Sequence, residues 1–146
     1  MTDSKRPLVG VGVVVLKGAA GAERVLLIRR GKPPREGTWS LPGGRQRHGE
    51  TVRDAARREV REETGLEVEV TGLLDVVDSL TRDASGGVAY HYTLVDFLAE
   101  WRGGEAQAGD DAAEVLWADP RDLEAYTLWD ETLRIIALAL EKRYKS

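Results

Sequence analysis

Glu59, Glu62 and Glu63 lie close together in a segment whose apolar residues predict a helix. Stepped at roughly 100° per residue, residues 51–64 place Val52, Ala55, Ala56 and Val60 on one side and Arg53, Asp54, Arg57 and Arg61 on the other. Glu59 and Glu63 fall in the middle of the apolar side, with Glu62 at its margin. A like-charge pair at i,i+4 costs about a few tenths of a kcal/mol in solvent, and roughly several kcal/mol if buried without a partner. A divalent cation removes that cost. Carboxylate oxygens suit a hard ion such as Mg2+ or Mn2+, and Mg2+ is commonly shared between a few carboxylates and substrate phosphates. On an arbitrary helix, solvated Glu–Arg pairs such as Arg58 with Glu62 would explain the charges as well. The interrupted apolar stripe favours the cation.

The elements that must position these acids are legible on both sides. Residues 8–16, rich in Val and Gly, predict a buried strand, 17–23 a turn with Gly18 and Gly21, and 24–28 the returning strand. Residues 29–38, with Gly31, Pro33, Pro34 and Gly37, predict a loop that ends in a turn at Pro42, Gly43 and Gly44. The acidic helix stops at Gly65, a natural residue for a left-handed cap. Residues 67–78 and 88–101 alternate as strands, joined by a polar loop, and a second loop over 101–111 precedes a short strand over 114–118. Asp119 and Pro120 predict the N-cap and first residue of a helical turn. Apolar residues at 133, 136, 137 and 140 predict an amphipathic helix from about 129 to 143. A mixed sheet with two helices follows, in a single domain over 1–146 with 1–7 as a flexible N-terminus.

Composition narrows the function. The chain of 146 residues is 32% charged and 42% hydrophobic, as in an ordinary soluble globular protein. It has no cysteine, which excludes disulfides, thiolate metal sites and a Cys nucleophile. Its net charge of −4 lacks the basic footprint of a nucleic-acid binder, so no nucleic-acid partner is expected. The N-terminus has no apolar signal core and no segment is long and apolar enough for a membrane span, so the expectation is a cytoplasmic protein with no membrane partner. Two histidines, His48 and His91, are too few and too far apart to suggest zinc.

From Gly44 the chain reads Gly44-x5-Glu50-x7-Arg58-Glu59-Val60-x-Glu62-Glu63-x-Gly65-Leu66, preceded by Trp39-Ser40-Leu41-Pro42-Gly43. This spacing resembles the Nudix box at every specified position. The resemblance implies an α/β fold, the Nudix α/β/α sandwich with a mixed β-sheet. It implies a metal-dependent pyrophosphohydrolase, cleaving a nucleoside diphosphate linked to a second moiety with Mg2+ or Mn2+. The missing cysteine removes an isomerase branch of that superfamily. By resemblance Glu59, Glu62 and Glu63 hold the cation, a carbonyl at Gly43 or Gly44 completes its shell, and Arg58 orients a glutamate of the box. Glu50, at the helix entrance, has two readings: a cap favoured by the helix dipole, or support for the metal ligands.

Around the box, the resemblance implies an arginine at the end of the second strand that binds substrate phosphate with its planar fork of donors, and Arg30 is better placed than Arg29; a solvated strand end is the other reading. Arg45, Arg47 and Lys32 are further candidates, although position 47 is often acidic in the family. The general base stays open between Glu59, Asp111 and Glu114; for Asp110 and Asp111 a role as acidic turn residues is at least as good an account. Trp39 could stack on a base or support the turn beside it, and Asp130 could read a base or cap the last helix.

Three functions fit. The first is hydrolysis of ADP-ribose or a similar nucleotide sugar, and the second is hydrolysis of oxidised or ordinary nucleoside triphosphates to monophosphates. The third is a silent nucleotide sensor, which commonly lacks box acids that are present in this chain. The expected partner is a small-molecule nucleotide. Related enzymes are frequently dimers, which suggests a homodimer whose interface the sequence does not mark.

Overall fold

The computed structural model describes residues 6–33, 35–109 and 111–145. The N-terminal segment expected to be flexible falls mostly on residues 1–5, outside the described residues, as does Asp110. Seven strands, β1 (Leu8–Lys17), β2 (Arg24–Arg30), β3 (Trp39–Ser40), β4 (Gly43–Arg45), β5 (Glu67–Arg82), β6 (Val88–Gly103) and β7 (Ala112–Ala118), form one mixed sheet. Two α-helices, α1 (Val52–Thr64) and α2 (Asp130–Arg143), pack on it.

β1 is the axis of the fold. It pairs in parallel with β6 from Leu8 to Leu16, and its other edge is shared by β4 at Gly10–Gly12 and by β2 at Leu16–Lys17. Side chains alternate along it. Val11, Val13 and Val15 enter a core with Ala55, Ala56 and Val60 of α1, whereas Val14 and Leu16 enter a core with Ile135, Ile136 and Ala139 of α2. The sheet is therefore sandwiched between the helices, as the resemblance implies. Continuous Val runs suit a strand covered on both faces.

Local signals set the boundaries of α1. The Thr51 hydroxyl accepts the Asp54 N–H at 3.0 Å, and Gly65 takes a left-handed φ of 74° at the other end. Thr51, rather than Glu50, is thus the N-cap.

Several expected boundaries move. Gly43 and Gly44 belong to strand β4 rather than a turn, because two residues without side chains can lie flat against β1. A β-carbon on Gly43 would collide with the Val11 carbonyl. β2 extends to Arg30, β5 to Arg82 and β6 to Gly103, so the second loop shortens. Asp119 caps a tight turn through the Arg121 N–H at 2.9 Å, and the helical turn comes later as a 3-10 helix over Glu124–Tyr126. Asp130 is the first residue of α2, whose N-cap is Trp129 without a side-chain bond.

Candidate active site

Two glycines bring β4 to the acidic half of α1. Gly43 N–H donates to Glu63 Oε1 at 2.8 Å, and a β-carbon on Gly44 would stand 2.5 Å from the Glu59 carboxylate carbon. Only glycine lets the β4 backbone approach these carboxylates so closely. Glu63 is buried. Burial and the charges of Glu59 and Asp111 push its carboxyl up to about 8, against the Gly43 hydrogen bond and the positive charge of Arg30. Burial likewise raises the pKa of Glu59, opposed by Arg58.

Arg58 organises the rest. It is 8% exposed, and its guanidinium donates to Glu50 at 2.7 and 3.0 Å, to Glu59 at 2.6 Å, to Glu62 at 3.3 Å and to the Arg45 carbonyl at 3.0 Å. Such charge-assisted bonds hold three like-charged groups in a fixed arrangement. The pairing drives the Glu50 carboxyl down to about 2 and the Arg58 pKa up. Glu50 also accepts the Arg47 N–H at 3.0 Å, which closes the approach to α1.

The loop over 104–109 completes the C-terminal end of α1. Gln107 N–H donates to the Thr64 carbonyl and Gly109 N–H to the Glu63 carbonyl, both at 3.0 Å, satisfying groups a helix end leaves open. The chain then delivers Asp111, whose carbonyl accepts the Gly31 N–H at 2.7 Å and whose carboxylate pairs with Lys32 at 2.9 Å.

Glu59, Glu62, Glu63, Arg58, Gly43, Gly44, Arg30 and Asp111 thus come together. Arg45 contributes its carbonyl, with its side chain exposed. Arg29 and Glu114 do not join them. They are opposite each other in register and pair at 2.6 Å, on the face shared by Leu27 and Ala118, which is the α2 side of the sheet. Alternation along β2 separates Arg29 from Arg30, and alternation along β7 sets Glu114 on the side of the sheet away from α1. His48 is exposed, and His91 lies 4.0 Å from Asp78.

Among the described residues, no three acids or histidines converge as a ready metal cage. Arg58 and the Gly43 amide occupy the carboxylates instead. The donor set nevertheless fits a hard cation: a buried carboxyl faces two like charges, and all the side-chain donors are oxygens.

On the other face, β1 carries Gly10 and Gly12 where the alternation would place side chains toward α2. A cavity of about 650 Å³ opens there, within the range of ligand sites. Arg30, Gly43 and Gly44 line it, as do Trp39, Tyr92, Trp129 and Asp96. Trp39 packs edge-on against Tyr126 at 5.3 Å, so it both supports β3 and walls the cavity. Sequence reading missed Gly10, Gly12 and Asp96. Their signals were glycines at period two in a valine strand and a lone acid in the apolar run Leu94-Val95-Asp96-Phe97-Leu98.

The sequence model of the NUDIX domain matches residues 6–139. The chain belongs to the NUDIX domain family. This Nudix chain is 40% identical over 117 residues to the ADP-ribose pyrophosphatase of Methanocaldococcus jannaschii, across 80% of its own length. It spans less than two thirds of the curated relatives it matches first, 64% in that case. Among solved structures it resembles the MutT NUDIX hydrolase of Burkholderia pseudomallei, with TM-score 0.76 and 32% identity over 92% of this chain and 98% of the other. It also resembles the NUDIX domain of Shewanella oneidensis NrtR complexed with ADP ribose, with TM-score 0.75 and 26% identity over 95% and 90% of the two chains. Nudix enzymes generally use a divalent metal. No helix among the described residues is long and apolar enough to cross a membrane.

Proposed function

We propose that this Nudix chain hydrolyses the diphosphate linkage of a nucleoside diphosphate joined to a second moiety, with ADP-ribose or a similar nucleotide sugar as substrate and Mg2+ or Mn2+ as cofactor. The observation that carries this reading is Glu63, buried among like charges and bonded to a strand of glycines beside a nucleotide-sized cavity. The archaeal relative named an ADP-ribose pyrophosphatase and the NrtR domain complexed with ADP ribose support the choice of substrate.

Glu59, Glu62 and Glu63 would hold the cation, with a carbonyl from Gly43 or Gly44. When bound, the ion polarises the diphosphate, neutralises developing charge and acidifies a water for attack on phosphorus. Arg58 keeps Glu59 and Glu62 in position by holding them and Glu50 at once. Arg30, on the cavity wall, offers a charged fork to the phosphate oxygens. Glu59 or Asp111 accepts the proton of the attacking water. One phosphorus–oxygen bond forms, the bridging bond breaks, and AMP and ribose 5-phosphate leave.

A panel of nucleoside diphosphate sugars and nucleoside triphosphates, assayed with and without Mg2+ and resolved by product mass, tests this. Ribose 5-phosphate from ADP-ribose supports the proposal. Pyrophosphate release from triphosphates alone supports the second reading, favoured by the likeness to the MutT hydrolase. Binding of ADP-ribose without turnover would support a sensor.

A further inference from the structure

Asp96 stands apart from the hydrolytic groups. It is 5% exposed, lies on the α2 face of β6 and lines the cavity. It leans across β1: a β-carbon on its register partner Gly12 would collide with Asp96 Oδ1. Among the described residues its carboxylate has no hydrogen bond or ion pair, and neither oxygen is sealed from the cavity. The three charged groups that act on it are Asp75, its cross-strand neighbour, and Arg134 and Glu131 of α2. Arg134 is already engaged, donating to Asp75 at 3.0 Å and to Glu131 at 2.7 Å. Burial, aided by Asp75 and Glu131 and opposed by Arg134, pushes the Asp96 carboxyl up to about 6.

A buried carboxylate without partners detracts from stability. A structural acid would have acquired a donor, as Glu50 and Glu100 have from Arg58 and Arg143. The absence of a side chain at Gly12 instead leaves Asp96 room to reach across β1 at the cavity wall. The acidic surroundings exclude a phosphate from this end. Trp39, Tyr92 and Trp129 supply flat apolar walls to the same cavity. An acceptor-only group among aromatic walls calls for an uncharged donor on a flat ligand.

We propose that Asp96 reads the nucleoside half of the substrate, its carboxylate accepting a hydrogen bond from an exocyclic base amine or a ribose hydroxyl. The inference takes from the hydrolase reading only the ligand class, a nucleotide. The diphosphate would extend from this end toward Arg30, Gly43 and Gly44, so Asp96 sets affinity and specificity while remaining outside the reacting bond.

The test compares wild type, Asp96→Ala and Asp96→Asn on ADP-ribose, on its 2′-deoxyadenosine analogue and on its hypoxanthine analogue, with calorimetric binding of AMP, dAMP and IMP in parallel. The expected result for Asp96→Ala is a KM raised about 10-fold or more, with kcat within about threefold. Asp96→Asn, which keeps one acceptor oxygen, should lose less. Wild type should disfavour the analogue that lacks the recognised donor, and Asp96→Ala should not. Loss on the hypoxanthine analogue identifies the base amine, and loss on the deoxy analogue the hydroxyl. The Tm of Asp96→Ala should equal or exceed that of wild type, because no bond is removed. A lowered Tm with unchanged KM would assign Asp96 a structural role and overturn the inference. If no diphosphate is hydrolysed, the binding measurements still decide: equal affinities for all three nucleotides overturn it. Binding that depends on Asp96 without turnover leaves it standing and removes only the hydrolase reading.

Discussion

On the α1 face of the sheet the charged groups are bonded to one another, whereas on the α2 face Asp96 faces the cavity without a partner among the described residues. Arg58 alone joins Glu50, Glu59, Glu62 and the Arg45 carbonyl, and the Gly43 amide takes Glu63. Four acids at close quarters would repel one another, and this web holds them together along α1. The α2 face achieves openness instead, through Gly10, Gly12 and aromatic walls. On the proposed reading, groups that perform chemistry are fixed in advance, and groups that recognise a ligand are left incomplete.

The sharpest way to break the comparison is to neutralise the α1 face without unfolding it. Glu59→Gln and Glu63→Gln should each lower kcat about a thousandfold or more at fixed Mg2+, with unchanged circular dichroism. Wild-type rates in either variant would sink the metal assignment. Arg58→Ala removes a buried guanidinium from three half-buried carboxylates and should lose about 3–5 kcal/mol in denaturant unfolding as well as activity. A loss under 1 kcal/mol would show that the web is not needed for folding, by the scale of exposed ion pairs.

Arginines one residue apart test the alternation itself. Arg30→Ala should weaken kcat/KM about 10- to 100-fold, by the scale of a charged hydrogen bond to phosphate. Arg29→Ala and Glu114→Gln, a pair bonded to each other and absent from the cavity lining, should change it by less than about twofold. Equal effects at both arginines would contradict the placement.

The smallest effect is on metal-free stability against pH. Glu63 titrates at about 8 rather than its ordinary 4.5, so the folded state holds an extra proton between those values and stability falls as pH rises through that window. Glu50 is held at about 2, so its contribution is present above 4.5 and is lost as pH falls toward 2. Tm measured from pH 3 to pH 9 should therefore decline at both ends by roughly a few degrees. Glu63→Gln should flatten the alkaline limb alone.

Much of the α1 face was legible in the sequence, because helical periodicity exposes an acid in an apolar stripe and Thr51 and Gly65 mark the helix ends. Strand alternation, read along β2 and β7, could also have set Arg30 apart from Arg29 and Glu114. The pairing partners were not legible. That Gly43 and Gly44 form an edge of β1 depends on contacts between segments some thirty residues apart. Glu50 illustrates the same limit: its position suggested a cap, but the Arg58 guanidinium, eight residues on, captures it. Asp96 lacked any local motif, and only the register of β1 with β6 places it over Gly12.

The division of labour between the two faces is tested most directly by ADP-ribose hydrolysis followed by mass, with Mg2+ titrated, in wild type and Glu63→Gln. The expected result is saturable, Mg2+-dependent release of AMP and ribose 5-phosphate by wild type and its loss in the variant, which still binds ADP-ribose. Release that persists in Glu63→Gln, or that proceeds equally well without a divalent cation, would contradict it.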